Sequence, residues 1–523
     1  MDNKTPRILT VILLCPIMIF CQDTINESMM NQIKNEERMD SKLEWIAHYV
    51  TDVSGSRLTN SSGYRRACQW AKATMTEWGL SNAHLEPWGN FGYGWDLLKS
   101  TLSLQKPYYE PIIAYAKPWS GSTQGSVTAP VLLLENQDTA WIAKNASLVR
   151  GKIVLLQSQD SVIHGFFDAD ASRYSDSALN TLQDTYMINA DMLHYFMPIV
   201  LKSIRIREKL KKAGALGILS MPFGRPGNNG TVFVDGFGGF HSGDQPAVPE
   251  MVLSAEACYK IERLIKSGHA VVVSMETKTK LLSDDMKGYN VVAEIPGTDP
   301  KLKDEIVMLG GHFDSWQSAT GATDNGAGCI AMMEAIRILK KLGVRPRRTI
   351  RIALWGGEEQ GLIGSFHYVK NHYGDPSTMK LTAEQQKISA YYNLDNGSGK
   401  IRGIFTQGND AVIPIFQAWL QPFHDVGATT VSRHNTGSTD HLSFDAVGIP
   451  GFQFIQDPLD YESRAHHSNM DNYDHLFLDD LKQAATIIAA FVYNTAMRDE
   501  KMPRKDLSKP EKFIFQEIEE EIP

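Results

Sequence analysis

The sequence predicts an α/β fold: a mostly parallel mixed sheet flanked by helices, with a β-rich unit inserted into the chain. From residue 290 onward, short apolar runs alternate with helix-like segments, and this alternation is typical of a core sheet that is largely parallel. Residues 120–279 break the rhythm, because short β-like runs are separated there by long polar or glycine-rich loops. We therefore expect one discontinuous main domain and one inserted domain.

Apolar spacing and turn residues locate the individual elements. Tyr64, Cys68 and Ala71 recur at intervals of three or four residues and Gly79 follows the run, as expected for an amphipathic helix. The predicted helices cover residues 63–78, 326–342, 361–370 and 478–493. The predicted strands cover residues 306–309, 349–355, 388–394 and 449–455 in the main domain, and residues 131–134, 153–156, 217–219 and 271–273 in the inserted domain.

The N-terminal residues have the pattern of a signal peptide. Residues 8–20 form an apolar run after Lys4 and Arg7. The run is too short for a membrane span, which needs ~20 residues, but fits the core of a signal peptide. We expect an exported protein, secreted or periplasmic, with a buried N-terminal helix or a lipid anchor on Cys21 as the alternatives.

The chain is thus expected to divide into five parts. They are a signal peptide (1–21), a first part of the main domain (22–119), the inserted domain (120–279), a second part of the main domain (280–497) and a charged tail (498–523).

Composition excludes several classes of protein. The chain has 523 residues, with 52 Lys and Arg against 60 Asp and Glu, so its formal net charge is −8. A mildly acidic chain is not expected to bind nucleic acid or anionic membranes by general electrostatic attraction. The five cysteines include no CxxC pair, which argues against a disulfide framework and against a cysteine-rich zinc module. No transmembrane span is expected in the mature chain, because no other segment approaches ~18 uninterrupted apolar residues.

Five short motifs carry residues suited to chemistry. They are Gly-Gly-His312-Phe-Asp314-Ser, Ala-Thr-Asp324-Asn-Gly-Ala-Gly, Trp-Gly-Gly-Glu358-Glu359-Gln-Gly, Asn-Leu-Asp395-Asn-Gly and His466-His467-Ser-Asn-Met-Asp471. The first, third and fourth follow directly after predicted strands. Because ligands of an open parallel sheet gather at the carboxyl ends of its strands, the motifs predict one shared site.

The residue types in these motifs favour zinc. Histidines and carboxylates without cysteine suit a borderline divalent metal, and five ligands fit two ions if one carboxylate bridges them. Two ions ~3.5–4 Å apart can hold a hydroxide nucleophile and polarise a carbonyl group. Adjacent side chains point in different directions, so one of Glu358 and Glu359 can bind metal while the other transfers protons.

The motifs resemble those of the co-catalytic di-zinc exopeptidases of the aminopeptidase and glutamate-carboxypeptidase family. The similarity extends almost throughout residues 310–370, including Arg-Pro-Arg-Arg-Thr-Ile-Arg (345–351). The middle of the chain resembles a protease-associated domain, with Lys-Ala-Gly-Ala-Leu-Gly-Ile (212–218) and Val-Pro-Glu-Met-Val-Leu-Ser (248–254) as its most typical pieces. The resemblance implies a zinc exopeptidase fold and hydrolysis of dipeptides or short peptides.

The resemblance also implies a role for each site residue. One zinc ion would bind His312, Asp324 and Asp395, and the other would bind Asp324, Glu359 and His467. Glu358 would be the general base that acts on the bound hydroxide and the leaving amine. Asp314 would orient His312 through its far ring nitrogen, as metal-bound histidines usually require.

Several points stay open at the level of sequence. His467 is preferred to His466 as the ligand only because the family places that ligand directly before Ser or Thr. His441 could polarise a substrate or could simply pack inside a loop, and Arg464 could meet a substrate carboxylate or be exposed. The terminus at which the enzyme cuts is undetermined, so carboxypeptidase, dipeptidase and aminopeptidase activities all remain, and so does the question of a homodimer.

Two rival functions fit these residues less well. A single-zinc glutaminyl cyclase has a related fold, but all five di-zinc positions are filled here. A non-catalytic binding module on a peptidase fold typically loses ligand residues, and none is missing.

Overall fold

The computed structural model describes residues 25–135, 138–158, 169–185, 190–222, 225, 227–236, 239–244, 247–510, 512–513 and 516. The predicted signal peptide at 1–21 lies outside these residues. Among the residues described, no helix combines the length and the apolar character needed to cross a membrane.

The described residues form eighteen strands and thirteen α-helices. The strands are β1 (Ser81–Asn90), β2 (Gly94–Lys106), β3 (Glu110–Pro111), β4 (Ala114–Ala116), β5 (Val127–Leu134), β6 (Ile153–Leu156), β7 (Gly217–Ser220), β8 (Glu250–Leu253), β9 (Val272–Leu282), β10 (Lys287–Ile295), β11 (Ile306–His312), β12 (Thr349–Trp355), β13 (Gly374–Asp375), β14 (Lys380–Leu381), β15 (Ile388–Asn393), β16 (Ile401–Phe405), β17 (Thr430–Ser432) and β18 (Gly451–Gln456). The helices are α1 (Glu27–Asp40), α2 (Leu43–His48), α3 (Ser62–Glu77), α4 (Thr139–Lys144), α5 (Ala146–Val149), α6 (Asp176–Asn180), α7 (Ala190–Ala213), α8 (Ala255–Lys266), α9 (Ala327–Lys341), α10 (Ile363–His372), α11 (Ile413–Leu420), α12 (His441–Asp445) and α13 (Leu478–Met497).

The first sheet has a parallel centre and a mixed periphery, which confirms the predicted α/β class. Its eight strands lie in the order β1-β10-β12-β11-β15-β18-β16-β17. Strand β11 is parallel to β12 and β15, and β15 is parallel to β18. Strands β1 and β10 continue the sheet in antiparallel pairing on one side. The carboxyl ends of β11, β12 and β15 therefore lie side by side.

Strand β11 is longer than the sequence predicts, because it continues through Gly310 and Gly311 to His312. A side chain at Gly311 would meet the amide of Asn325 at 2.9 Å and the carbonyl oxygen of Leu394 at 3.1 Å. Glycine here is a packing requirement rather than a strand end, since two loops close over this position. His312 is consequently held on the rigid sheet.

Helix α9 is enclosed by the main domain, and residues 327–339 are all buried. It begins directly after the Asp324 loop and packs against α13 and β11. Its second residue, Gly328, lies so close to the neighbouring loop that a Cβ atom would be 2.1 Å from the carbonyl oxygen of Leu394. This close approach joins the loop after β11 to the loop after β15.

A second sheet contains the strands that break the α/β rhythm of the sequence. Its order is β3-β2-β9-β5-β6-β7-β8-β4, with β5, β6, β7 and β8 in parallel pairing. Helices α7 and α8, which the sequence analysis did not predict, belong to the same stretch of chain. Strands β2, β3 and β4 precede residue 120 but pair in this sheet, so we propose that the inserted unit extends over residues 94–282.

A buried acid–base cluster joins helix α1 to helix α9. Glu334 on α9 accepts two hydrogen bonds from Arg337, at 2.7 and 2.8 Å. Glu37 on α1 accepts a hydrogen bond from Ser41 at 2.6 Å and lies beside Glu334. Burial, followed by the hydrogen bond with Glu334 and repulsion from it, raises the pKa of Glu37 to about 8. Glu37 is therefore protonated at neutral pH in the folded protein.

The raised pKa of Glu37 predicts a specific pH dependence of stability. The unfolded chain releases this proton near pH 4.5, whereas the folded protein holds it until about pH 8. Stability from this group is complete below the lower value and is lost as pH rises through the upper one, by up to about 1.4 kcal/mol per pH unit. The Glu37→Gln variant should not show that loss, so its free energy of unfolding should rise relative to wild type between pH 5 and 8.

Urea unfolding at a series of pH values measures this difference. The matched control is Glu27→Gln, at an exposed position of the same helix, which should follow the wild-type pH profile. Parallel profiles for wild type and Glu37→Gln would contradict the prediction.

Candidate metal and active site

The predicted site residues converge at the carboxyl ends of three adjacent strands. His312 is the last residue of β11, Glu358 and Glu359 follow β12, and Asp395 follows β15. This is the edge at which ligands bind in open α/β sheets. Asp324 reaches the same point from the loop before α9.

Asp324 lies at the centre of the cluster and faces a histidine with each oxygen. Its Oδ1 atom is 3.2 Å from Nε2 of His312, and its Oδ2 atom is 3.2 Å from Nε2 of His467. Nε2 of His312 is also 3.4 Å from Asp395 Oδ1, and Nε2 of His467 is 2.9 Å from Glu359 Oε2. Two groups of donor atoms therefore share one carboxylate, which is the arrangement expected of a bridging ligand.

Glu358 stands further from these donor atoms than its neighbour does. Its Oε2 atom is 3.9 Å from Nε2 of His312. His312, Asp324 and Glu359 offer atoms close enough together to hold one ion, and Asp324, His466 and His467 do the same. Glu359 is thus part of one of these groups, whereas Glu358 is part of neither.

Asp314 contacts both His312 and the glutamate pair. Its backbone carbonyl oxygen is 3.1 Å from Nδ1 of His312, whereas its carboxylate Oδ1 is 3.6 Å away. The carboxylate accepts a hydrogen bond from the Thr59 hydroxyl at 2.7 Å and from the backbone N–H groups of Glu358 and Glu359 at 3.3 Å. Asp314 thereby fixes the backbone that carries both glutamates.

Asp471 holds the loop that carries Asp324. Its carboxylate accepts hydrogen bonds from the backbone N–H and hydroxyl of Thr323 at 2.6 and 2.7 Å, and from the N–H of Asp324 at 3.0 Å. The sequence analysis included Asp471 in a motif but gave it no role. The only signal was its place in the segment of His466 and His467.

Arg57 holds the same loop by hydrogen bonds to backbone carbonyl oxygens. Its side chain is fully buried and donates hydrogen bonds to the carbonyl oxygens of Phe313 (2.7 Å), Gly321 (2.8 Å) and Val50 (3.1 Å). These partners are neutral, so they do not cancel the positive charge of the guanidinium group. That charge opposes the negative charge of the neighbouring carboxylates. No local pattern in the sequence predicts this role.

Negative charge is concentrated in this site. Its carboxyl groups, nearly all buried, are Asp314, Asp324, Glu358, Glu359, Asp395, Asp440 and Asp471. Burial, with repulsion from neighbouring carboxylates, raises the pKa values of Glu358 and Glu359 well above their ordinary value. Burial lowers the pKa of His312, but Asp395 and Glu358 outweigh it and raise that pKa above its ordinary value. A proton or a cation bound here would offset this negative charge.

Metal ions fit this donor set. Buried oxygens of Asp324, Glu359 and Asp395 have no hydrogen-bond donor among the described residues. Orphaned buried carboxylate oxygens are costly unless a cation or proton meets them. Together with two imidazole nitrogens they form the nitrogen and oxygen environment that zinc accepts.

The open questions about His441 and Arg464 are partly answered by their surroundings. His441 is fully buried, its Nε2 lies 3.0 Å from the carbonyl oxygen of Thr436, and burial lowers its pKa to about 4. Arg464 forms an ion pair with Asp170. These contacts favour packing for His441 and an internal partner for Arg464.

Several known proteins are similar in sequence to this chain. Residues 290–492 match the model of peptidase family M28. Carboxypeptidase Q of Pongo abelii is 26% identical over 461 residues, covering 87% of this chain and 85% of that protein. Aminopeptidase YwaD of Bacillus subtilis (strain 168) is 31% identical over 263 residues, covering 48% of this chain and 55% of the relative.

Solved structures show the same fold over nearly the whole chain. The peptidase M28 precursor from Shewanella amazonensis SB2B superimposes with a TM-score of 0.66 at 24% identity, covering 93% of this chain and 99% of that one. The predicted resemblance to exopeptidases of the aminopeptidase and glutamate-carboxypeptidase group is confirmed by these matches, and so is the prediction of a metallo-exopeptidase. The segment that matches the model of peptidase family M28, residues 290–492, carries His312, Asp324, both glutamates, Asp395 and His467.

Proposed function

We propose that the protein is an exported, zinc-dependent exopeptidase that hydrolyses the peptide bonds of dipeptides and short peptides. The observation that carries the proposal is the bridging position of Asp324, whose two oxygens each face one histidine at 3.2 Å. A family whose relatives are named carboxypeptidase and aminopeptidase supports exopeptidase chemistry. A zinc aminopeptidase from Bacillus subtilis with the same fold, at a TM-score of 0.53 and 19% identity over 88% of this chain and 96% of that one, supports the choice of metal.

The chain offers ligands for two zinc ions. His312, Asp324 and Asp395 would hold one ion, and Asp324, Glu359 and His467 would hold the other. When bound, such ions lower the pKa of a water molecule and polarise a carbonyl group. Asp314 and Asp471 fix the backbone on which Glu359 and Asp324 depend, so the ligands are positioned before the metal arrives.

Glu358 is suited to move the proton in this reaction. It lies next to the ligand cluster without being part of it, and its backbone is tied to Asp314. Its carboxylate would accept a proton from the attacking water and deliver it to the nitrogen of the leaving amine as the C–N bond breaks. Burial favours its protonated form, which is the form needed for the second transfer.

Replacing Glu358 should abolish turnover without removing metal. We expect Glu358→Gln to lower kcat by about 10²–10⁴-fold, because a positioned general base contributes that much, while zinc content stays at the wild-type level. Steady-state kinetics and atomic emission of the same sample measure both quantities. Glu384→Gln, at an exposed position, is the control, and full activity in Glu358→Gln would disprove the assigned role.

Zinc should restore the activity of the chelator-treated enzyme, and recovery should be complete when two ions are bound per chain. Exhaustive treatment with a chelator should remove activity and lower the melting temperature, because a ligand that binds only the folded state stabilises it. Titration with zinc should return both until two equivalents per chain are bound. A plateau at one equivalent would instead favour the single-zinc cyclase reading.

A panel of dipeptides decides which terminus the enzyme requires. We expect carboxypeptidase- or dipeptidase-like behaviour, so amidation of the C-terminus should abolish cleavage as measured by release of the free amino acid. Loss of cleavage only on N-acetylation would indicate the alternative, an aminopeptidase, which the match to YwaD favours. Loss on either modification would indicate a strict dipeptidase.

Export is proposed from the apolar run at residues 8–20. Cell fractionation of the full chain, with the N-terminus of the processed protein determined by mass spectrometry, tests it. A product that keeps Met1 inside the cell would contradict export.

A further inference from the structure

Arg225 belongs to the chain segment that forms the second sheet. Its side chain contacts a histidine of the candidate metal site, which lies at the edge of the first sheet. Arg225 lies between β7 and β8, and its Nη1 atom is 3.0 Å from Nδ1 of His466. Its Nη2 atom donates to the carbonyl oxygen of Glu462 at 2.9 Å, and the guanidinium lies 4.1 Å from the centre of the Phe233 ring. Three contacts therefore hold the guanidinium against the histidine.

The surrounding backbone keeps these two segments together. The N–H of Val234 donates to the carbonyl oxygen of His467 at 2.7 Å, and the N–H of Val232 donates to Asn469 Oδ1 at 2.7 Å. The N–H of Asn469 in turn donates to the carbonyl oxygen of Val232 at 3.1 Å. The loop after β7 thus pairs with the chain that carries both histidines.

The contact with Arg225 determines which ring nitrogen of His466 carries a proton. A guanidinium group has donors only and keeps its protons in proteins. Nδ1 of His466 must therefore be the acceptor, and in a neutral imidazole the proton is then on Nε2. A protonated Nε2 has no lone pair for a metal, although His466 lies near enough to Asp324 and His467 for the three to look like a metal site.

Nε2 of His466 faces the site as a hydrogen-bond donor. It lies 3.8 Å from Oδ2 of Asp324, further away than the 3.2 Å of His467, and the side chain is 25% exposed. Its ring packs 4.8 Å from Tyr461 and 3.9 Å from His467, measured between ring centres. The ring is therefore held in direction by its contacts, and a quarter of the side chain is exposed.

We propose that His466 donates a hydrogen bond from Nε2 to the carbonyl oxygen of the scissile peptide bond, and that Arg225 is the positioning residue that holds it in this tautomer. This inference rests on the proposed peptidase function. His466 keeps its proton throughout, and its bond strengthens as negative charge develops on the oxygen, which is how a preorganised donor accelerates acyl transfer. The same tautomer leaves His467 as the metal ligand of the pair.

The test compares variants at both positions by three measurements. His466→Leu removes the donor, His466→Gln offers an amide N–H in its place, and Arg225→Ala removes the positioning group. Arg263→Ala is the control for charge, since Arg263 is exposed on α8 of the same unit. The measurements are kcat and KM for a cleaved dipeptide, zinc per chain, and affinity for a phosphinic dipeptide analogue against that for the amino acid product.

We expect His466→Leu to lower kcat by about 10²–10³-fold, as loss of one preorganised donor does, with KM and zinc content close to wild type. Affinity for the phosphinic analogue should fall and affinity for the product should not. His466→Gln should recover part of kcat, Arg225→Ala should lower kcat less than His466→Leu, and adding Arg225→Ala to His466→Leu should cause no further loss.

Loss of zinc from His466→Leu would overturn the proposal, because it would make His466 a ligand. Wild-type kcat in His466→Leu, or additive losses in the double variant, would overturn it as well. If zinc-loaded wild type cleaves no peptide, the proposed function fails. In that case the zinc content of His466→Leu and its binding of the phosphinic analogue still decide the inference.

Discussion

The structure is organised around a concentration of buried negative charge at one edge of a parallel sheet. Asp324, Glu359 and Asp395 repel one another when they are ionised, and this repulsion is costly in a buried site unless cations or protons oppose it. Arg57 is a buried cation that the protein itself supplies beside the site, and it is bound to backbone carbonyl oxygens rather than to carboxylates. Metal ions would offset the negative charge that remains, so their binding would stabilise the folded protein.

Many contacts hold the chain segments that surround this charge. The carboxylates of Asp314 and Asp471 accept hydrogen bonds from backbone N–H groups of the loops that carry the proposed ligands. Gly311 and Gly328 let those loops approach one another closely enough for such bonds to form. Helix α9, buried along most of its length, then fixes the end of the Asp324 loop. These contacts together fix the loop that carries Asp324 at the edge of the sheet.

The sequence predicted the parts of the fold that depend on local pattern. Residues 349–355 were predicted as a strand with the bounds that β12 has, because β-branched and apolar residues fill it between turn residues. The clustering of His312, Glu359 and Asp395 followed from strand ends alone. Residues Arg57 and Asp471 were not assigned their roles, since their partners are distant in sequence and any exposed Arg or Asp would look the same.

Local sequence pattern does not determine which of His466 and His467 is the better metal ligand. The two histidines are adjacent in sequence, and they differ in contacts with distant residues: Arg225, 241 residues away, contacts His466, whereas Glu359 contacts His467. The extent of the second unit was likewise not predictable, because β2 alternates like any edge strand and reveals its sheet only by pairing with β9. Contacts between residues that are distant in sequence determine both the difference between the histidines and the extent of the second unit.

The way the chain passes between its two sheets has a consequence for the history of the protein. Asn90 at the end of β1 pairs with Lys287 at the start of β10, and Gly94 at the start of β2 pairs with Leu282 at the end of β9. The outgoing and returning segments therefore run as neighbours, and a short hairpin could join β1 to β10 directly. An ancestor could have acquired the second unit at this junction without altering the register of the first sheet, and its loops could then have been recruited toward the existing metal centre.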